Sequence, residues 1–291
     1  KFSINSSTGA LTFGSAPDYE SPTDSDSSND YVVVVRATDS ASNTSDQTLT
    51  VSVSDVDELV PTVSTVSSST TNGSYNLDDT IAITLQFSEV VTVDTSSGTP
   101  SLELETGSTN RFATYASGSG SNTLTFNYTV QSGDTASDLD YSSTSALALN
   151  GGSIKDAAEN NVNLTLVSPG SVNSLAANKD LIIDTTKALI SGPSGSAGES
   201  TSIKSINENN TTVHTFTTNE TVTWSLNGGA DSSKFAINTS TGALSFSSAP
   251  DYESPTDSNS DNDYVVVVRA TDLADNTSDQ TLTVSVADVD E

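Results

Sequence analysis

The chain has 291 residues, with 38 acidic side chains against 9 basic ones and a formal net charge of −29. A surface this acidic lacks the Lys/Arg footprint that nucleic acid or an anionic membrane requires, so neither is an expected partner. Cys and Met are absent and His214 is the single histidine, which excludes disulfides, thiol catalysis, histidine-based zinc sites and histidine-dependent triads.

Residues 1–58, which open the chain, return without a gap as 234–291, at an offset of 233 and with nine differences. A period this long holds one or two whole domains, so the chain reads as about one and a quarter periods of a tandem array. The second copy is preceded by 188–233, a stretch with strand patterns of its own, and the first copy has no such run. Residues 1–57 are therefore expected to be the back half of a sandwich, with open sheet edges and an uncovered apolar face. Within that half, Leu49, Val51 and Val53 alternate with Ser and Thr. Asp-Val-Asp-Glu closes the copy at Glu58, and Pro61 follows as a linker residue.

The next run alternates Ile81, Ile83, Leu85 and Phe87, and another alternates Leu124, Phe126, Tyr128 and Val130. Period two puts one face in a core and one in water, the mark of a strand. Turn clusters at 5–9, 118–122 and 150–152 separate such runs at short spacing. A break falls near 184–187, before a Gly/Ser-rich stretch. Then come Val222, Trp224 and Leu226, where Trp224 reads as core, and a dense run at 264–268 suited to a central strand. His214 reads as a surface strand residue. No stretch carries a helical period. The expected fold is all-β, as tandem antiparallel β-sandwiches, with domains at 1–57, 58–187 and 188–291.

Acidic motifs punctuate the last domain: Asn207-Glu208-Asn209, Pro250-Asp251-Tyr252-Glu253, Ala270-Thr271-Asp272 and Asp288-Val289-Asp290-Glu291. Phe235-Ala236-Ile237 followed by Thr241-Gly242 lies between them. This set resembles the cadherin-type repeat, over 188–291 fully and over 1–58 in part. The resemblance implies calcium ligands at Glu208, Asp251, Glu253, Asp288, Asp290 and Glu291. In the first copy it implies Asp18, Glu20, Asp55, Asp57 and Glu58. Calcium takes six to eight oxygens, and alternate acids in an extended segment aim two carboxylates the same way. The family's Asp-x-Asp motif has no counterpart, because Asn219-Glu220-Thr221 stands there, so ligands from that face are fewer or different.

Residues 59–187 resemble the bacterial Ig-like domains of giant repeat-containing (RTX-type) surface adhesins, through Phe87-Ser88-Glu89-Val90-Val91, Ala113-Thr114-Tyr115, Asp138-Leu139-Asp140-Tyr141 and Asn150-Gly151-Gly152. An internal parallel adds candidates. Asp156 and Asn160 mirror Asp272 and Asn276, and also Asp39 and Asn43; Glu89 mirrors Glu220. These loops are expected to face the preceding linker, which makes Asp156, Asp272, Glu89 and Glu220 candidate ligands. Asp184, with Asp138 and Asp140 near it, is a candidate at the second linker. Asp184 stands nearly alone among the linker acids there, so a hinge is expected at 184–188.

The functional expectation is a non-catalytic, calcium-rigidified extender of a secreted bacterial adhesin or surface fibre, projecting a distal binding region from the cell. Its partners would be neighbouring repeats of the same polypeptide, with identical chains as further candidates in a fibre, and without membrane insertion. The alternative is an adhesive module itself, homotypic or glycan-binding.

Overall fold

A computed structural model describes residues 1–290. The chain divides into two compact units: Lys1–Val60 with Ala157–Asn160, and Pro61–Asp156 with Asn161 onward.

The larger unit contains two separate apolar cores. The first is organised by the long strand Thr80–Asp94, whose Ile81, Ile83, Leu85 and Phe87 all point inward and are buried. It pairs antiparallel with Ser121–Thr129, which buries Leu124, Phe126 and Tyr128, and with Val63–Ser68. Ser101–Leu104 and Arg111–Ser117 extend this sheet on one side and Ser153–Lys155 on the other. A smaller sheet joins Thr135–Ala136, Leu181–Asp184 and Gly73–Tyr75.

Two strand pairs depart from the antiparallel expectation. Leu181–Asp184 runs parallel to Gly73–Tyr75, and Thr201–Asn207 runs parallel to Thr277–Ala287. Each joins segments far apart in the chain, where no tight hairpin dictates direction. A one-turn helix, Leu175–Asn178, also escapes the sequence reading, since four residues are too few to display a 3.6 period. Ser174 caps it by accepting a hydrogen bond from the Ala177 amide.

A buried polar knot braces the first sandwich. Asp134 accepts from Arg111 Nε and the Tyr128 hydroxyl, each at 2.7 Å, and from the Gln131 amide at 2.9 Å. Burial, and then the bond to Asp134, pushes the Tyr128 phenol well above its ordinary range. Replacing Asp134 with Ala strands the Arg111 charge and a buried hydroxyl. We expect a cost toward the lower end of about 3–5 kcal/mol, because Arg111 keeps some solvent. A denaturant midpoint unchanged for this sandwich would contradict it.

The second sandwich sets a four-stranded sheet (Thr201–Asn207, Thr277–Ala287, Asp263–Thr271, Thr223–Leu226) against a three-stranded one (Thr212–Thr215, Ala243–Phe246, Phe235–Ile237). Tyr264, Val266, Val268, Leu282 and Val284 fill the space between them with Phe216 and Trp224. Phe235, Phe246 and Tyr264 pack ring to ring, with Phe246 4.4 Å from Phe235 and 5.0 Å from Tyr264. His214 differs from the surface position expected for it. It is half-buried, with its ring edge-on to Phe216 at 5.1 Å, and burial followed by the Lys204 charge lowers its pKa.

The smaller unit is made of two hairpins, Phe2–Ile4 with Leu11–Phe13 and Asp30–Thr38 with Thr44–Ser52. Phe2, Phe13 and Tyr31 repeat the aromatic trio of the second copy. The strand Asp-Tyr-Val-Val-Val-Val-Arg-Ala-Thr is identical in both copies, yet its surroundings differ. Leu282 is fully buried, and its counterpart Leu49 is 41 % exposed.

Candidate metal centre

Carboxylates gather at four places among the described residues, and in each the participating oxygens lie within 4.8 Å of one another. The first centre in the larger unit joins Glu208, Asp251 and Glu253. Glu208 follows the strand Thr201–Asn207 and is buried, and two amides hold its carboxylate: Tyr252 N at 2.8 Å and Val289 N at 2.9 Å. Those two bonds hold its pKa below the usual carboxylate range. Asp251 is oriented by the Ser254 amide at 2.9 Å. Glu253 is moved the other way. Its own amide pulls it down most strongly, but partial burial and the charges of Glu208, Asp288 and Asp251 leave it raised.

The second centre joins Asp184, Glu220 and Asp272. Asp184 ends the strand Leu181–Asp184, and Asp272 follows Asp263–Thr271. One Asp272 oxygen accepts from the amides of Ala274 and Asn276, and the other from the Asn276 side chain. Asn276 Nδ2 also donates to the Asp184 carbonyl at 2.9 Å, which ties this loop to the linker. Burial, and then the charges of Asp184 and Asp272, raise the Glu220 carboxyl. Asp184 is thus not alone at its linker, and the acid count no longer argues for a hinge there. Sequence reasoning missed the bond from Asn276, whose signal was the repeated Asp-x-x-x-Asn spacing.

Glu89 and Asp156, both in the larger unit, also approach within 4.8 Å. In the smaller unit Glu20, Asp55 and Glu58 cluster. The Glu20 amide lowers its own carboxyl, but partial burial and then Asp55 and Glu58 outweigh it and the net shift is upward. Asp18 caps the Ser21 amide at 3.0 Å, and Asp57 accepts from the Leu59 amide at 3.0 Å. The Asp57 carbonyl takes the Asn160 side chain, as Asp184 takes Asn276. Asp288 and Asp290 are exposed, and Glu291 lies outside the described residues. Asp138 and Asp140 join none of these groups; Asp140 instead accepts from the Gly170 and Tyr141 amides.

The donor set suits a hard divalent cation. All donors are carboxylate oxygens, and calcium–oxygen distances of about 2.3–2.6 Å place opposed ligands roughly 4.6–5.2 Å apart. The three arginines are committed elsewhere, Arg36 to Asp46, Arg111 to Asp134 and Arg269 to Asp279. No helix among the described residues is long and apolar enough to cross a membrane, which says nothing of β-barrels.

A known family model matches one stretch of the chain. Residues 57–168 match the bacterial Ig-like domain. That match agrees with the all-β sandwich seen there. None of the curated proteins matches the chain. Among solved structures, protocadherin gamma B2 extracellular domains 3–6 align over 98 % of this chain and 62 % of theirs, at 15 % identity and a TM-score of 0.31. The protocadherin gammaB7 EC3–6 cis-dimer aligns over 99 % of this chain and 63 % of its own, at 12 % identity and 0.35. Mouse cadherin-23 EC22–24 aligns over 99 % and 82 %, at 16 % identity and 0.31. The chain thus spans under two thirds of the first two, and at such scores the likeness decides nothing here.

Proposed function

We propose that this chain is a structural, non-catalytic stretch of a bacterial cell-surface adhesin or fibre, whose sandwiches are stiffened at their junctions by calcium. The observation that carries the reading is the meeting of Asp184, Glu220 and Asp272. One acid comes from the end of one sandwich and two from the next, so a cation held by all three links bodies that a short linker otherwise leaves free to bend. The ion supplies the positive charge that three adjacent carboxylates lack, and Asn276 sets the spacing by holding the Asp184 carbonyl. Glu208, Asp251 and Glu253 offer the same chemistry at the far end of the second sandwich. Dissociation constants on the order of 10⁻⁴–10⁻³ M, as in other extracellular modules, suit such sites. The near-identity of the two copies favours a protein that gains by length. Extracellular placement is supported by the bacterial Ig-like match over residues 57–168, and identical chains in a fibre are the proposed lateral partners. A glycan-binding role has less support, because Trp224 and both aromatic trios are committed to packing.

Small-angle scattering of the chain in millimolar calcium and in chelator tests this. Calcium should change the profile toward a stiffer particle, and superimposable profiles would overturn the reading.

A further inference from the structure

Each copy of the repeated sequence carries a polar loop just ahead of its Asp-Tyr-Val-Val-Val-Val-Arg-Ala-Thr strand, at 24–30 in the first and 257–263 in the second. In the second copy the loop closes on Asp257, which is only 6 % exposed. Its carboxylate accepts from the Asp261 amide at 3.0 Å and, over a long 3.3 Å, from the Asn262 amide. Asp231, also buried, ties the loop to the strand by accepting from the Ser258 amide at 2.6 Å and the Val265 amide at 2.8 Å. Asn262 has a left-handed backbone, φ +64°, and its Nδ2 donates to the Tyr252 carbonyl at 3.0 Å. That bond fixes the side-chain amide and turns its oxygen away from Tyr252.

The oxygen so placed is buried and has no donor. Among the described residues three buried side-chain oxygens lack a hydrogen-bond partner: Asn262 Oδ1, Asn29 Oδ1 and Asp24 Oδ1. Asn29 and Asp24 are the counterparts of Asn262 and Asp257, so all three fall at two positions of one loop. Asn29 repeats the geometry, with φ +66° and Nδ2 on the Tyr19 carbonyl at 2.9 Å. The same oxygen is stranded in both copies, whatever packs beyond them, so the loop itself produces it. A buried acceptor without a donor is unfavourable, and beside a buried carboxylate the missing element is positive charge. The acids point the same way. Asp26 and Ser28 become Asn259 and Asp261, two of the nine differences, so the loop keeps three acids in each copy: Asp24, Asp26 and Asp30 against Asp257, Asp261 and Asp263.

We propose that this loop holds a calcium ion inside each repeat, away from the junctions. Asp257 and the Asn262 oxygen bind it in the second copy, Asp24 and the Asn29 oxygen in the first, and a further loop acid, Asp261 or Asp26, adds charge. A donor set of carboxylate and amide oxygens without nitrogen or sulfur suits calcium. Asparagine rather than aspartate stands at the stranded position because its Nδ2 must also donate to the Tyr252 or Tyr19 carbonyl. The ion orders the loop that leads into the central strand. It lies within one sandwich, so it is independent of the linking role proposed for Asp184, Glu220 and Asp272.

Hydrogen exchange with mass spectrometry on the intact chain, in millimolar calcium and in chelator, reads the two loops separately. Calcium should slow exchange by about tenfold or more in 24–30 and 257–263. Asn262→Gly keeps the left-handed backbone and removes the oxygen, so protection should vanish from 257–263 and persist in 24–30. Asn262→Asp puts a charged ligand where a neutral one stood, and the calcium midpoint for 257–263 should fall by about threefold or more. Four results would each overturn the proposal. They are no calcium response in the loops, equal protection by sodium at matched ionic strength, full protection of 257–263 in Asn262→Gly, and an unmoved or raised midpoint in Asn262→Asp. Full protection in Asn262→Gly would assign the effect to Glu208, Asp251 and Glu253 instead. Each loop is read within its own repeat, so scattering that fails to respond to calcium leaves this test intact.

Discussion

Leu282→Ala should destabilise the second sandwich by about 2–5 kcal/mol, and the matching change Leu49→Ala should cost under about 1 kcal/mol. Both residues occupy the same place in near-identical sequences. Leu282 is fully buried among Val266, Val284 and their neighbours, so its removal forfeits transfer energy and leaves a cavity. Leu49 is 41 % exposed, so part of its side chain already faces water and no closed cavity forms. Native-state hydrogen exchange read separately over 263–287 and 30–52 measures the two costs in their own units. Equal losses would mean that the first copy is as fully covered as the second.

Asp251→Asn should lower thermal stability in calcium and leave it unchanged or slightly raised in chelator. Asparagine keeps an oxygen for the Ser254 amide, which Asp251 now holds at 2.9 Å, so the turn is preserved and the charge alone is lost. A ligand that binds only the folded state stabilises it by RT ln(1 + [L]/Kd), about 2.7 kcal/mol at a hundredfold excess over Kd. Losing one of three carboxylates should remove much of that increment. In chelator the substitution relieves repulsion among Glu208, Asp251 and Glu253, whose mutual charge already raises Glu253. Melting parent and variant in both buffers separates the cases. Equal shifts in calcium and in chelator would show that this acid cluster holds no cation.

The strands around the cores were legible because period-two alternation is a local property. Ile81, Ile83, Leu85 and Phe87 announce a buried face whatever lies opposite. The parallel pairing of Thr201–Asn207 with Thr277–Ala287 was not legible, since strand direction between segments some eighty residues apart leaves no local pattern. The acid groupings were partly legible. Asp251 and Glu253 stand two residues apart and can be read together, and Glu208 joins them only because its strand ends against the Tyr252 and Val289 amides. Asp184 looked isolated for the same reason: Glu220 and Asp272 reach it across a linker, through space.

What the sequence alone determined is the period, the strand faces, the acidity and the residue types available for chemistry, because each is carried by neighbouring residues or by simple counting. Tertiary structure decided which of two nearly identical copies is buried. Val266 and Leu282 lie in a core because 188–233 lays strands along both edges of their sheet and a tryptophan over Gly242. Val33 and Leu49 have the same neighbours along their strands, yet Val33 is only half-buried and Leu49 is exposed. Burial is a relation between segments, and a strand pattern read along the chain does not say what packs against it.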